Sequence, residues 1–119
     1  MLTAKENYFE LREIGDVTIV TFVCRHIFKD LQIRDIGIRL LELVDTENRT
    51  KILINFSMVE FMSSAMFGKL IALGKNVKTH QGRLVFCGII PEVYEVFAIT
   101  RLNKHFEIVK TEEEGLQLF

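Results

Sequence analysis

The chain alternates between short runs of β-branched and aromatic residues and longer stretches where apolar residues return every three or four positions. The short runs predict strands and the spaced stretches predict helices. Tyr8 to Ile14 reads as a first strand and Val17 to Val23, rich in Val, Ile and Thr, as a second. Only Gly15-Asp16 separates them, so the pair reads as a hairpin. Cys24 to Lys29 reads as a connector. Asp30 then stands at the cap of a helix running to about Asp45, with Ile33, Ile36, Leu40, Leu43 and Val44 facing inward. Asp30–Arg34 and Asp35–Arg39 have the acid-before-base spacing of surface pairs on its outer side.

Lys51 to Phe56 is short and apolar, the pattern of a strand buried on both faces. Ser63 and Ser64 stand where the next helix begins. That helix carries Met66, Phe67, Leu70, Ile71, Leu73 and Val77 on one face, reaches about Thr79 and ends at Gln81-Gly82. Arg83 to Ile89 predicts a fourth strand. Pro91 opens a third helix at a position where its missing N–H costs nothing, with Val93, Val96, Phe97 and Thr100 along one side. Phe106 to Lys110 reads as a fifth, edge-like strand. Thr111 and Glu114 have capping-box spacing for a last short helix ending at Phe119. This order predicts an α/β fold: a mostly parallel sheet of about five strands, one antiparallel N-terminal strand and about four helices, in a single domain over residues 1–119.

Composition narrows the function. Hydrophobic residues make up 49% of the 119, ten of them Phe, which supports a packed core and excludes a disordered chain. The net charge of −1 offers no basic face for nucleic acid and no attraction to an anionic membrane. No apolar run reaches the ~18 residues of a membrane helix. The opening MLTAKENYFE lacks the apolar segment of a secretion signal, so a cytoplasmic location is expected.

The serine pair is the main candidate for chemistry. A hydroxyl at a helix N-terminus lies among unpaired backbone N–H groups and the positive end of the helix dipole, so a phosphate there is stabilised. The simpler reading is that one of the two serines only caps the helix.

The run NFSMVEFMSSAMFGKL, Asn55 to Leu70, resembles the signature of STAS domains, and among them the bacterial anti-sigma factor antagonists. Asn55-Phe56-Ser57 matches the start of that signature, Val59 and Phe61 its middle, and Ser63 to Gly68 its end. The flanking elements follow the family's order as well. The resemblance implies a STAS-type fold, no cofactor and no catalysis by the domain itself. It implies that Ser64 is phosphorylated by a partner, an anti-sigma factor of the serine-kinase type, and that phosphorylation ends binding. It centres the partner surface on Ser57, Met58, Ser63, Ser64, Ala65 and Met66, with Arg25 and His26 beside them. The chain is expected to be a monomer or a weak homodimer.

The sequence departs from the signature in places. Ser63 stands where the family has Asp, Ala65 and Met66 where it has Ser and Gly, and Arg25-His26 where it has acids. These departures suit an alternative, a STAS-like scaffold or ligand-sensing module without a phosphoswitch.

Other candidates are weaker. Met62 and Met66 flank the serines, and either one exposed offers an adaptable docking surface. Cys24 and Cys87 lie in apolar runs and read as buried thiols. His26, His80 and His105 share no ligand spacing with them, so neither a metal site nor a thiol–imidazole enzyme is expected. Nucleotide-binding glycine motifs are absent from the sequence.

Overall fold

A computed structural model describes residues 7–119. Strands β1 (Phe9–Ile14) and β2 (Val17–Phe22) form the hairpin. Gly15 occupies the first turn position with φ +61°, the left-handed conformation that lets a two-residue turn follow the strand twist. Strands β4 (Lys51–Asn55), β6 (Arg83–Cys87) and β7 (Glu107–Val109) complete a five-stranded sheet in the order β1-β2-β4-β6-β7. Every pairing after the hairpin is parallel. Two further strands, β3 (His26–Ile27) and β5 (Phe61–Met62), form a separate parallel ribbon. The helices are α1 (Asp30–Asp45), α2 (Ser64–Thr79), α3 (Pro91–Ile99) and α4 (Glu112–Leu116), with a 3₁₀ turn at Leu102–Lys104. The expected α/β architecture is therefore present.

Alternation along the strands sorts the core into two layers. Val20, Phe22, Ile52, Ile54 and Phe86 face α1, α2 and α3. Val17, Ile19, Leu53, Val85 and Cys87 face the opposite way, toward Leu116, Leu118 and Phe119. Ile52, Leu53 and Ile54 are all fully buried, as a strand covered on both faces requires. Phenylalanines link the sheet to the helices in the larger layer. Phe56 meets Phe22 at 5.4 Å and Phe86 at 5.0 Å, and Phe97 meets Phe67 at 4.7 Å.

Several local expectations are corrected. The connector Cys24 to Lys29 contains β3. Asp30 lies inside the first turn of α1, and Lys29 is the N-cap residue. The Gln32 side chain holds this helix start: its Oε1 accepts from the Phe28 and Lys29 N–H groups, and its Nε2 donates to the His26 carbonyl. The two surface pairs of α1 do not form. Arg34 lies 3.9 Å from Asp35, and the Arg39 guanidinium sits 4.3 Å over the Phe9 ring, a cation–π contact that suits its flat cation. In α3 only Val93 and Phe97 are buried; Val96 and Thr100 face out. Only half of the expected capping box of α4 forms: Thr111 Oγ1 accepts from the Glu114 N–H, while the Glu114 carboxylate accepts from the Thr111 hydroxyl instead of its backbone N–H, and the helix stops at Leu116.

Candidate functional site

The site begins where β4 ends. Phe56 is fully buried among other Phe rings and anchors the chain as it leaves the sheet. Asn55 shapes the next turn, its Oδ1 accepting from the Ser57 N–H at 2.9 Å. Gly88, on the neighbouring connector, has φ +71°, and a Cβ there would stand 2.8 Å from that same Asn55 oxygen. Ser57 and Met58 come to the surface, Val59 returns to the core, and β5 follows.

The β3–β5 ribbon then delivers the chain to α2. The Arg25 carbonyl accepts from the Glu60 and Phe61 N–H groups, and the Ile27 carbonyl accepts from the Ser63 N–H at 2.9 Å. His26 pairs with Phe61 and Ile27 with Met62, so each pair shares a face of the ribbon. Ile27 and Met62 point inward. His26 and Phe61 point outward, with Phe61 52% exposed. Phe28, Leu31 and Met58 add further exposed apolar surface. Glu60 lies 3.6 Å from Arg25 and 3.7 Å from His26, and all three are solvated, so these contacts orient side chains more than they stabilise the fold.

Ser63 is the N-cap residue of α2, with extended backbone at φ −77° and ψ 163°. Its hydroxyl does not cap the helix; the Oγ is buried without a hydrogen-bond partner. Ser64 is the first helical residue and is exposed, as is Ala65. Neither serine is therefore occupied as a side-chain cap. Met66 is fully buried and Met62 nearly so, which corrects the expectation that Met66 joins the surface. Met66 lies one turn before Leu70, on the stripe that faces the sheet. Arg25, His26, Ser57, Met58, Ser64 and Ala65 all lie exposed on the ribbon and the turn around the start of α2.

Phe61 is the surface residue that pattern reading overlooks. A two-residue strand has no measurable period, and only its pairing opposite His26 shows which way its ring points.

Behind the turn, a polar network ties β4 to α4. Asn55 Nδ2 donates to Glu112 Oε2 at 2.9 Å, and Arg12 donates to the same oxygen at 2.6 Å. Burial works to raise the Glu112 carboxyl, but the Arg12 and Asn55 donors outweigh it and hold the group below its ordinary range. Cys87, buried beneath, has its thiol pushed up to about 11 by burial and by the Glu112 carboxylate. It is therefore a protonated core thiol at neutral pH. Cys24 is half-buried, its Sγ 3.6 Å from the Tyr8 carbonyl oxygen. Among the described residues, no group of three His, Cys, Asp or Glu is placed to hold a metal ion. No described helix is long and apolar enough to cross a membrane.

The five-stranded sheet with its antiparallel first strand, and the serine-bearing helix that follows the central strand, define a small α/β class. The chain belongs to the STAS-domain family, whose model matches residues 8–115. Solved structures agree in fold. A Thermotoga maritima protein solved as a candidate anti-sigma factor antagonist superposes with a TM-score of 0.82 at 18% identity, over 92% of each chain. A STAS-domain anti-sigma factor antagonist from Planctomyces limnophilus gives 0.82 at 22% identity, over 92% of this chain and 96% of that one. The Bacillus cell-fate determinant SpoIIAA in its phosphorylated form gives 0.70 at 19%, over 92% and 96%.

Proposed function

We propose that this chain is an anti-sigma factor antagonist that docks on a kinase-like anti-sigma factor and is switched off by phosphorylation at Ser64. The observation that carries the reading is Ser64 itself: an exposed hydroxyl at the first position of a sixteen-residue helix, beside a ribbon that presents Phe61, His26 and Arg25. In the unphosphorylated state the partner covers this face and its sigma factor is released. The domain is the substrate of the reaction. The Ser64 Oγ attacks the γ-phosphorus of ATP held by the partner, ADP leaves, and the hydroxyl proton passes to a base on the partner. The product adds ~1.5 to 2 negative charges where the helix dipole tolerates them, so the fold survives while the hydrated group displaces the partner. The similarity in fold to a STAS protein solved in a phosphorylated form supports this reading. The protein acts in the cytoplasm as a monomer or weak homodimer.

The departures around Ser64 favour a second reading, a STAS-like scaffold or ligand-sensing module without a phosphoswitch. Partner capture from native lysate separates the two. Under the first reading, wild type captures a kinase-fold protein and Ser64→Asp does not. Equal capture by both favours the scaffold.

A further inference from the structure

A second concave site lies away from the Ser64 face. It is a cavity of about 420 Å³ between the C-terminal half of α2, the start of β6 and the segment from the 3₁₀ turn to β7. Its volume falls within the roughly 300–1,000 Å³ of small-molecule sites. Along α2 it is centred roughly 16–21 Å from Ser64, judged from the helical rise to Lys75 and Lys78.

The cavity has an apolar wall and a cationic rim. Ile71, Leu84, Leu102 and Phe106 supply the wall. Gly74 lets the Phe106 ring close the end of the cavity against α2, because a Cβ there would stand 3.2 Å from that ring and 3.9 Å from Leu84. Three cationic side chains reach the rim, but they are not equivalent. Arg83 is held by Glu107 through two bonds of 2.8 and 2.6 Å, so its charge is neutralised by a carboxylate that itself lines the cavity. Lys75 and Lys78 have no carboxylate within ion-pair distance among the described residues. They sit at i,i+3 on the cavity side of α2, with His105 also on the lining.

We propose that this cavity binds an anionic amphiphile, an aliphatic chain ending in a single carboxylate. The chain lies against Ile71, Leu84 and Phe106, and the carboxylate is met by Lys75 and Lys78. Apolar burial supplies the affinity, and the two ammonium groups select for the charged end.

The test is an NMR titration of the full chain with decanoate, at concentrations below its self-association, alongside decanol as the uncharged control. Decanoate is expected to shift the amides of Gly74, Leu84 and Phe106 saturably while leaving Ser63 and Ser64 unmoved. Decanol is expected to bind at least threefold more weakly. Lys75→Glu combined with Lys78→Glu is expected to weaken decanoate binding about tenfold or more, from the loss of two ion pairs and the gain of like charge. Both side chains are exposed, so the fold stays intact, which the unperturbed remainder of the spectrum verifies. No saturable shift at these amides, shifts centred on the Ser64 face, or equal binding by the double variant overturns the proposal.

Discussion

The Ser63 N–H donates to the Ile27 carbonyl at 2.9 Å, so the turn that presents Ser64 is fastened directly to the ribbon that presents His26 and Phe61. The two halves of the surface cannot move apart without losing this bond and the Arg25 bonds to Glu60 and Phe61. A partner resting on Phe61 therefore has Ser64 at a fixed place relative to it. That is what in-line phosphoryl transfer to a hydroxyl needs from its substrate.

Phe61 and Met66 make opposite predictions. Phe61 is half-exposed, so Phe61→Ala is expected to weaken partner capture at least tenfold while leaving the unfolding midpoint nearly unchanged. Met66 is fully buried, so Met66→Ala is expected to cost about 2–5 kcal/mol of stability, read from denaturant melts. Unchanged capture by Phe61→Ala would remove the ribbon from the docking face.

Both long helices and the central strands are legible in the sequence because burial enforces their periods. The sixteen-residue α1 runs from Asp30 to Asp45, as its apolar spacing predicts, and Ile52 to Ile54 are buried on both faces. The β3–β5 ribbon is not legible. Its strands are two residues long, and their pairing is decided by where Val59 and Phe56 enter the core. The serines are legible as a helix start, but the buried, unpartnered Ser63 hydroxyl is a tertiary outcome no local pattern encodes.

The Glu112 network predicts a specific acid sensitivity. Its folded-state carboxyl is held below the ordinary value, so ionised Glu112 stabilises the fold. That contribution is complete above the unfolded pKa, roughly 4.3, and is lost as pH falls through the lower folded value. Melting temperatures measured from pH 7 to pH 3 should fall less steeply for Glu112→Gln than for wild type. Identical slopes would show that the Arg12 and Asn55 bonds do not act on this group.

The two thiols should separate by reactivity. With its pKa near 11, Cys87 is ~0.1% thiolate at pH 8, and it is buried as well. A disulfide-exchange reagent is expected to modify Cys24 in the native protein and Cys87 only on unfolding. Rapid native labelling of Cys87 would contradict its place in the core.

The central claim rests on one hydroxyl. The most direct measurement incubates the purified chain with its captured kinase-fold partner and ATP, then maps the modification by tandem mass spectrometry. The account predicts a single phosphoryl group on Ser64, absent from Ser64→Ala, with the modified chain no longer held by the partner. A phosphoryl group on Ser63, or none at all under conditions where the complex forms, would contradict it.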